Sequence, residues 1–239
     1  MPEVRVGPCG FCLRHQDLFR TFAVLEIQQT FYQPPRLATV QRWRQEAGDQ
    51  FEFTLKAFQA ITHEGSSPTY RRCKLSPGER AECGSFRDTP VVRFAWETTL
   101  ALARALEATF MIFQCPASFR PTAANLANLR WFFKWAERGR LLFGWEPRGR
   151  AWTAALVTDL CRELNLIHVV DPFQNRSCHG SPRYYRLHGI GGYEYRYSDQ
   201  ELQRLKELCT EPLTYCMFNN TAMAEDAQRF RKLLASAGG

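Results

Sequence analysis

The stretch TFMIFQCPASFRPTAANLANLRWFFKWAERGRLLFGWEPRG, residues 109–149, predicts a strand, a helix and a second strand. Its first apolar run ends at Gln114, and its last apolar run ends at Glu146. Between them, after Pro121, leucine and aromatic side chains recur at helical spacing. This order is typical of a parallel sheet, because parallel strands need a crossover connection that is usually a helix.

The same pattern repeats along the chain. Eight apolar runs of strand character alternate with turns and, in most cases, with helical patterns. The predicted strands cover residues 4–6, 23–30, 51–58, 109–116, 141–149, 166–173, 183–189 and 213–220. Residues 174–182 lack a helical period, so we expect the sixth helix to be short or missing. We predict an α/β fold, a TIM (β/α)8 barrel of eight parallel strands with an outer ring of helices, as a single domain over residues 1–239.

An open, doubly wound sheet is the alternative architecture. Such a sheet normally carries a glycine-rich phosphate-binding turn after an early strand. Gly7 and Gly10 follow the first predicted strand without a third glycine, so the match to that turn is poor. The sequence therefore favours the barrel.

The longest stretch without a regular period, residues 61–89, lies after the third predicted strand. Glycine and proline recur through it, at Gly65, Pro68, Pro77, Gly78 and Gly84. Loops of this length inside a compact domain are usually functional. We therefore expect a lid or a binding loop.

The composition narrows the class of protein. The 239 residues contain no run of eighteen apolar side chains, so no membrane span is expected. The first residues, MPEVRVG, lack the apolar core of a signal peptide, and nine cysteines are an odd number for a disulfide framework. We expect a cytoplasmic protein with few or no disulfides. The net charge is +7, with 26 Arg and 5 Lys, and arginine suits bidentate binding of phosphate or carboxylate.

The polar residues that end the predicted strands are the candidate site. In a parallel barrel the carboxyl ends of all strands lie on one face, where active sites are found. The candidate catalytic residues are Glu26, Lys56, Glu146 and His188, with Glu26 and Glu146 as an acid/base pair. The candidate substrate-binding residues are His63, Gln114, Arg148, Asp171, Arg186, Tyr193, Asn219 and Asn220. Carboxylates and histidines transfer protons, whereas Lys and Arg bind phosphate or carboxylate groups. This set predicts an enzyme that uses acid/base chemistry on a small anionic substrate.

A structural role is open for several of these residues. Glu26 could simply pair with Lys56 or with an arginine. Asp171, which precedes a proline, also suits a turn or a cap. Arg186 lies two residues before His188, so both side chains point to the same side of a strand. That spacing fits a shared pocket and equally a structural salt bridge.

Four cysteines suggest a second hypothesis. Cys9 and Cys12 follow the first predicted strand, and Cys73 and Cys83 lie in the long loop after the third. Both loops belong to the same face of the predicted barrel. Four thiolates there could bind zinc or an iron–sulfur cluster, although the second spacing matches no common motif. Separate thiols are the alternative.

A nucleic-acid partner is the third hypothesis. It depends on the charge of +7 and on basic residues in predicted loops, namely Arg71, Arg72, Arg148 and Arg150. Positive loops around a barrel mouth could follow a phosphate backbone. The sequence shows no helix–turn–helix, zinc finger or RNA-binding aromatic signature.

Six ordered motifs resemble those of the YecE-like family (domain of unknown function 72), a TIM-barrel family. They are EIQQTFYQPP, FEFTLKAFQAITH, FQCPASF, EPRG, YYRLHG and FNNTAMAEDA, within a resemblance that runs from Val6 to about Leu234. The family's polar positions fall here on Glu26, Lys56, His63, Gln114, Glu146, Arg148, Arg186, His188, Asn219 and Asn220. This sequence departs from the family pattern at its start, where Cys-Gly-Phe-Cys replaces Gly-Trp-Ser-Tyr. It also carries Gln28-Gln29 in place of Asn-Ser.

The resemblance implies the barrel and a shared pocket at its mouth, but no assigned reaction. The family's barrel is broadly similar to metal-using endonuclease and sugar-isomerase barrels, which is an analogy of fold alone. From it we expect an enzyme with hydrolase-like or isomerase-like chemistry, or an endonuclease-like repair protein.

Overall fold

The computed structural model describes residues 2–236 and shows a barrel of parallel strands inside a ring of helices. Within these residues the eight strands are β1 (Glu3–Pro8), β2 (Val24–Ile27), β3 (Glu52–Lys56), β4 (Phe110–Gln114), β5 (Leu142–Glu146), β6 (Ile167–Val170), β7 (Arg183–Leu187) and β8 (Leu213–Phe218). Hydrogen bonds join them in the order β1-β8-β7-β6-β5-β4-β3-β2. A parallel bridge between Cys9 and Glu26 then brings β1 to β2. The predicted TIM barrel is confirmed.

Helices surround the strands. They are α1 (His15–Thr21), α2 (Gln29–Tyr32), α3 (Leu37–Ala47), α4 (Gln59–Thr62), α5 (Pro77–Ala81), α6 (Pro90–Leu106), α7 (Ala123–Trp135), α8 (Ala154–Leu164), α9 (Asp199–Leu208) and α10 (Met223–Ala235). In the described chain no helix connects β6 to β7, as the missing period over residues 174–182 predicts. Across residues 2–236, no helix combines the length and the apolar character that a bilayer crossing requires.

Side-chain caps fix the starts of several outer helices. The hydroxyls of Thr89, Thr122 and Thr153 accept the backbone N–H three residues further on, at the starts of α6, α7 and α8. Ser198 and Glu201 form the predicted capping box of α9. Each such cap is worth about 1 kcal/mol. Together they set where the chain leaves the barrel mouth and turns back along its outside.

The barrel interior is filled in layers. Phe110 and Tyr184 stack with their ring centroids 4.4 Å apart in the middle of the barrel. Gly144 leaves room for this layer, since a Cβ there would lie 2.4 Å from the Phe110 ring. Gly7 likewise allows β1 and β2 to approach each other where the barrel closes, because a Cβ at this position would lie 2.1 Å from the Val24 carbonyl oxygen. The predicted polar site residues lie in the layer above, at the carboxyl ends of the strands.

The segment 61–89, predicted as an irregular lid or binding loop, contains short helices and packs against the core, and its role as a lid or binding loop stays a prediction. It contains a 3-10 helix (Pro68–Arg72) and α5, and it buries the aromatic side chains of Tyr70 and Phe86 in the core. The Tyr70 hydroxyl donates to the carbonyl of His63 at 2.7 Å. Pro68 and Pro77 mislead the prediction because proline is also favoured in the first turn of a helix, where both lie.

Candidate functional site

The carboxyl ends of the strands bring most of the predicted site residues together. Gln114 and Glu146 are register partners on β4 and β5, and Lys56 lies beside Ile112, which packs inside the barrel. These ends are nearly closed to solvent, and the buried polar side chains there are Glu26, Lys56, His63, Gln114, Glu146, Asp171 and Arg186. Residues far apart in sequence therefore form one polar layer at the barrel mouth.

Arg186 is the centre of this layer. Its fully buried guanidinium donates to both oxygens of Glu26, at 3.0 and 2.9 Å. Its third nitrogen donates to Glu146 Oε2 at 2.5 Å and to Gln114 Oε1 at 3.1 Å. Burial alone would lower the pKa of Arg186, but Glu26 and Glu146 raise it well above its ordinary value. A permanent cation thus joins two carboxylates in the barrel interior.

Glu26 has no free oxygen. Besides Arg186, it accepts hydrogen bonds from the Tyr184 hydroxyl, at 2.9 Å, and from the side-chain amide of Gln28. Tyr184 is in turn held by Thr54, 2.8 Å away. A fully buried carboxylate with four donors is suited to fixing Arg186 in place. These contacts favour the structural alternative for Glu26 over its predicted role in proton transfer.

Glu146 is the carboxylate that faces the open side. Its Oε1 accepts from Arg148 Nε and Nη2, at 2.9 and 2.7 Å, and lies 3.3 Å from His188 Nε2. Burial alone would raise the pKa of Glu146, but Arg186, Arg148 and His188 lower it well below its ordinary value. Arg148 keeps 40% of its side chain exposed. Glu146 is therefore ionised, and one of the two arginines that it contacts is partly exposed.

His188 is held from three directions. Its Nδ1 lies 3.0 Å from the Asn219 amide nitrogen, and its Nε2 lies 3.1 Å from Arg148 Nη2. Its backbone N–H donates to Asp171 Oδ2 at 3.0 Å. The Asp171 carboxylate also accepts the N–H of Phe173 at 3.0 Å. Asp171 thus fills the turn role that the sequence left open, and Asn219 orients the imidazole.

Lys56 contacts an aromatic ring instead of a carboxylate. Its Nζ lies 3.4 Å from the centroid of the Phe31 ring, and the side chain is buried. Among residues 2–236 no carboxylate lies within ion-pair distance of that nitrogen, since Glu26 and Glu146 bind arginines. Burial, and then Arg186, lower the pKa of Lys56 well below its ordinary value. Both effects favour the neutral amine over the ammonium.

His63 lies beside Phe31, the ring that Lys56 also contacts. Its ring packs edge-on against Phe31, with the centroids 5.0 Å apart, and its Nδ1 lies 2.7 Å from the Thr62 hydroxyl. Burial, and then Lys56 and Arg148, lower the pKa of His63 to about 3. The ring is thus neutral at physiological pH.

Two predicted binding residues lie outside the cluster. Asn220 is buried and donates to Asp226 Oδ2, at 2.8 Å, and to the Tyr195 carbonyl, at 2.7 Å. It therefore ties the start of α10 to the loop after β7. The Tyr193 side chain is 54% exposed, and its backbone carbonyl accepts from Thr221 N. Neither side chain contacts the Arg186 network in the described part of the chain.

The four cysteines predicted as metal ligands do not meet. Within the part of the chain that the structure describes, no three His, Cys, Asp or Glu side chains are placed to hold a metal ion. Cys9 faces the barrel interior, where burial, and then Glu26, raise the pKa of its thiol well above its ordinary value. Cys73 and Cys83 instead pack beside Tyr70 in the insertion. Cys9 belongs to the barrel interior, whereas Cys12, Cys73 and Cys83 pack with the outer core, so the structure does not bring the four thiols together as one site.

A cavity of about 710 Å³ opens beside Glu146 and His188. It extends over β6, on the side where the sixth helix is missing. Three arginines contribute to its wall, namely Arg148, Arg150 and Arg176. Sequence reasoning did not place Arg176 in the site, because this residue belongs to the irregular β6–β7 connection. Its position at the carboxyl side of β6 is the signal that could have found it.

The low pKa values of two buried histidines allow a prediction of how the free energy of unfolding changes in acid. The pKa of His63 is about 3, and burial lowers that of His168 to about 4. The unfolded chain binds these protons below about pH 6.5, so it holds more protons than the folded protein as the pH falls. The free energy of unfolding should therefore decrease from pH 6.5 towards pH 4, by up to about 1.4 kcal/mol per pH unit for each histidine.

Urea denaturation between pH 6.5 and 5 measures the slope of the free energy of unfolding against pH, in a range above the pKa of most carboxylates. His63→Gln and His168→Gln should each flatten it, whatever they do to stability at pH 7. An unchanged slope in both variants would show that these rings do not carry the effect.

Comparisons with known proteins agree with this architecture. A DUF72 family protein from Enterococcus faecalis V583 superimposes with a TM-score of 0.75 at 21% identity, over 98% of this chain and 98% of that one. A DUF72 family protein from Thermotoga maritima MSB8 gives a TM-score of 0.69 at 20% identity, over 98% and 99%. A D-psicose 3-epimerase crystallised in the presence of D-fructose gives 0.58 at 11% identity, over 98% of both chains. At these identities the likeness shows the fold alone.

No protein with a curated description matches the sequence. A family profile described as "Protein of unknown function DUF72" matches residues 15–239. The resemblance carried by the six motifs is thereby confirmed, and the chain belongs to the DUF72 family.

Proposed function

We propose that the barrel mouth is the active site of an enzyme that performs acid/base chemistry on a small phosphate- or carboxylate-bearing substrate. The observation that carries the proposal is the cavity beside Glu146 and His188. A proton-transfer pair and three arginines line the same space there. Pockets with a few convergent polar groups and perturbed pKa values are the usual location of active sites.

The charges favour an anion in this cavity. Glu26 and Glu146 are balanced by Arg186 and Arg148, so the buried network is close to neutral. The other two arginines of the cavity, Arg150 and Arg176, are exposed and form no ion pair with a carboxylate in residues 2–236. Their positive charge is left for a ligand, and guanidinium groups bind phosphate and carboxylate with matched geometry.

Arg148 links anion binding to proton transfer. In the structure it holds Glu146 as a weakly basic carboxylate. A substrate anion that draws the half-exposed Arg148 away would remove one of the charges that lower the pKa of Glu146. Glu146 then becomes a stronger base, at the moment when the substrate is bound. His188, 3.3 Å from Glu146, would donate or relay the proton.

The proposal includes hydrolase-like and isomerase-like reactions. Both need a base, an acid and a group that binds the substrate's charge. The epimerase among the structural neighbours has the same barrel, and that similarity of fold is consistent with an isomerase-like reaction. The arrangement of Glu146, His188 and Arg148 supports the step that both reaction types share, which is proton transfer next to a bound anion.

Phosphate binding tests the anion site directly. Calorimetric titration with inorganic phosphate should show binding that Arg148→Met weakens by about 10- to 100-fold, the value of one charge-assisted hydrogen bond. Arg130→Met is the matched control, because Arg130 forms a surface pair with Glu163 on the outer helices. Equal loss in both variants, or no loss in Arg148→Met, would contradict the proposal.

A nucleic-acid-binding or endonuclease-like protein is the alternative function. The exposed Arg150 and Arg176 and the net charge of +7 are the observations that favour it. The same titration with a DNA or RNA oligonucleotide separates the two functions. Tight binding that falls steeply with salt would favour the alternative. Phosphate binding without oligonucleotide binding supports the small-substrate enzyme.

A further inference from the structure

We propose that Lys56 is a nucleophile, and that its amine adds to the carbonyl carbon of an aldehyde or ketone substrate to form an imine. The inference rests on the proposed function and narrows its substrate class to anionic carbonyl compounds. The juxtaposition that carries it is an unpaired amine in the same polar layer as an ionised carboxylate and a histidine.

The position of Lys56 is fixed by β3. Thr54, two residues earlier on this strand, contacts Tyr184 inside the barrel, so Lys56 faces the same interior. Lys56 is the last residue of β3 and therefore lies at the mouth. The residue is buried, with 4% of its surface exposed, so a substrate must enter the barrel mouth to reach it.

The surrounding contacts leave the amine without an ionic partner. The Phe31 ring lies 3.4 Å from Nζ, in the geometry of a cation–π contact, and it is an uncharged partner. The two nearby carboxylates, Glu26 and Glu146, are bound by Arg186 and Arg148.

The electrostatic surroundings favour the neutral form of the amine. The charged and titratable groups around it are Arg186 on β7, Arg148 after β5, Glu146 on β5, Glu26 on β2 and His63 after α4. The two guanidiniums balance the two carboxylates, and His63 is uncharged. An ammonium would therefore add an uncompensated charge in a buried place. Desolvation and neighbouring cations are the usual way in which proteins make a lysine nucleophilic.

The reaction balances without a further reagent. The nitrogen lone pair attacks the carbonyl carbon, a C–N bond forms and the C=O π electrons move to oxygen, which takes a proton. Loss of the nitrogen proton gives a neutral carbinolamine. Its hydroxyl then leaves as water after a second protonation, and the nitrogen lone pair forms the C=N bond. The net change consumes one carbonyl, one amine and one proton, and it yields a protonated imine and water. His188 and Glu146 are the groups in this layer that can carry these protons.

The small number of lysines makes the proposal easy to test. The chain has five, and Lys74, Lys134 and Lys232 are exposed while Lys206 is half-buried. The unmodified protein is incubated at pH 7 with glycolaldehyde phosphate and sodium cyanoborohydride, which reduces an imine to a stable amine. Peptide mapping by mass spectrometry then gives the labelling rate of each lysine.

We expect Lys56 to be labelled at least about tenfold faster than the other four lysines, because an ordinary lysine is almost wholly protonated at pH 7. Its rate should rise less between pH 7 and 9 than the rates at ordinary lysines, which rise about tenfold per pH unit. Lys56→Arg should lose only this label, and Lys134→Arg should keep it. Labelling of Lys56 at or below the rate of the exposed lysines would overturn the inference.

The result also separates this inference from the proposed function. Phosphate binding that depends on Arg148, together with slow labelling of Lys56, would leave the acid/base enzyme standing and remove the imine. Absence of both would remove both proposals.

Discussion

Replacing Arg186 with methionine should lower the free energy of unfolding by about 4 kcal/mol, because removal of one partner from a buried ion-pair network leaves uncompensated charge. The guanidinium donates three hydrogen bonds to the carboxylates of Glu26 and Glu146 and a fourth to Gln114 Oε1, and all these partners are buried. Methionine fills similar space but neutralises neither carboxylate. Urea denaturation at pH 7 measures the loss.

Two further variants make the Arg186 result specific. Glu26→Gln in the Arg186→Met background removes one of the orphaned charges and should recover part of the stability, as expected for residues of one network. Arg130→Met removes a guanidinium from a surface pair with Glu163 and should cost less than about 1 kcal/mol. If the free energy of unfolding of Arg186→Met were within about 1 kcal/mol of that of the unmodified protein, which is about the value of a surface pair, the central role of Arg186 in stability would be refuted.

Replacing Glu146 with glutamine should reduce turnover by about 10²- to 10⁴-fold, the usual contribution of a positioned acid or base. The amide keeps the size of the side chain and loses the negative charge that accepts a proton. Turnover is measured by proton NMR in D₂O on a panel of phosphorylated aldehydes, ketones and hydroxy acids, where proton abstraction from carbon appears as deuterium exchange.

Glu163→Gln is the control for Glu146→Gln, because Glu163 is a half-exposed carboxylate on α8 that pairs with Arg130 at the surface. It should retain full turnover. Circular dichroism must show that Glu146→Gln keeps its fold, since Glu146 also binds Arg186. A folded Glu146→Gln variant with unchanged turnover would exclude Glu146 as the acid or base.

The fold and the location of the site follow from the sequence for a simple reason. Period and length identify each strand, and parallel strands place all their carboxyl ends on one face. This is why Glu26, Gln114, Glu146 and Arg186 meet although up to 160 residues separate their positions. No knowledge of individual contacts is needed for that prediction.

The roles within the site depend on contacts that no single strand encodes. Arg186 pairs with the carboxylates of Glu26 and Glu146. This pairing favours a structural role for Glu26, and Lys56 contacts the Phe31 ring instead of a carboxylate. The sequence shows that these side chains share a face, but not which of them pair. The cysteine hypothesis is wrong for the same reason, since Cys9 points into the barrel and Cys83 packs into the insertion. Pairing is decided by packing across strands, at distances in sequence that periodicity does not constrain.

A crystal structure of the protein soaked with glycolaldehyde phosphate tests the central claim most directly. We predict that the phosphate oxygens lie within hydrogen-bonding distance of Arg148, Arg150 or Arg176. The carbon skeleton should point towards Glu146 and His188. A well-occupied ligand bound elsewhere on the protein, with the space beside Glu146 and His188 empty, would contradict it.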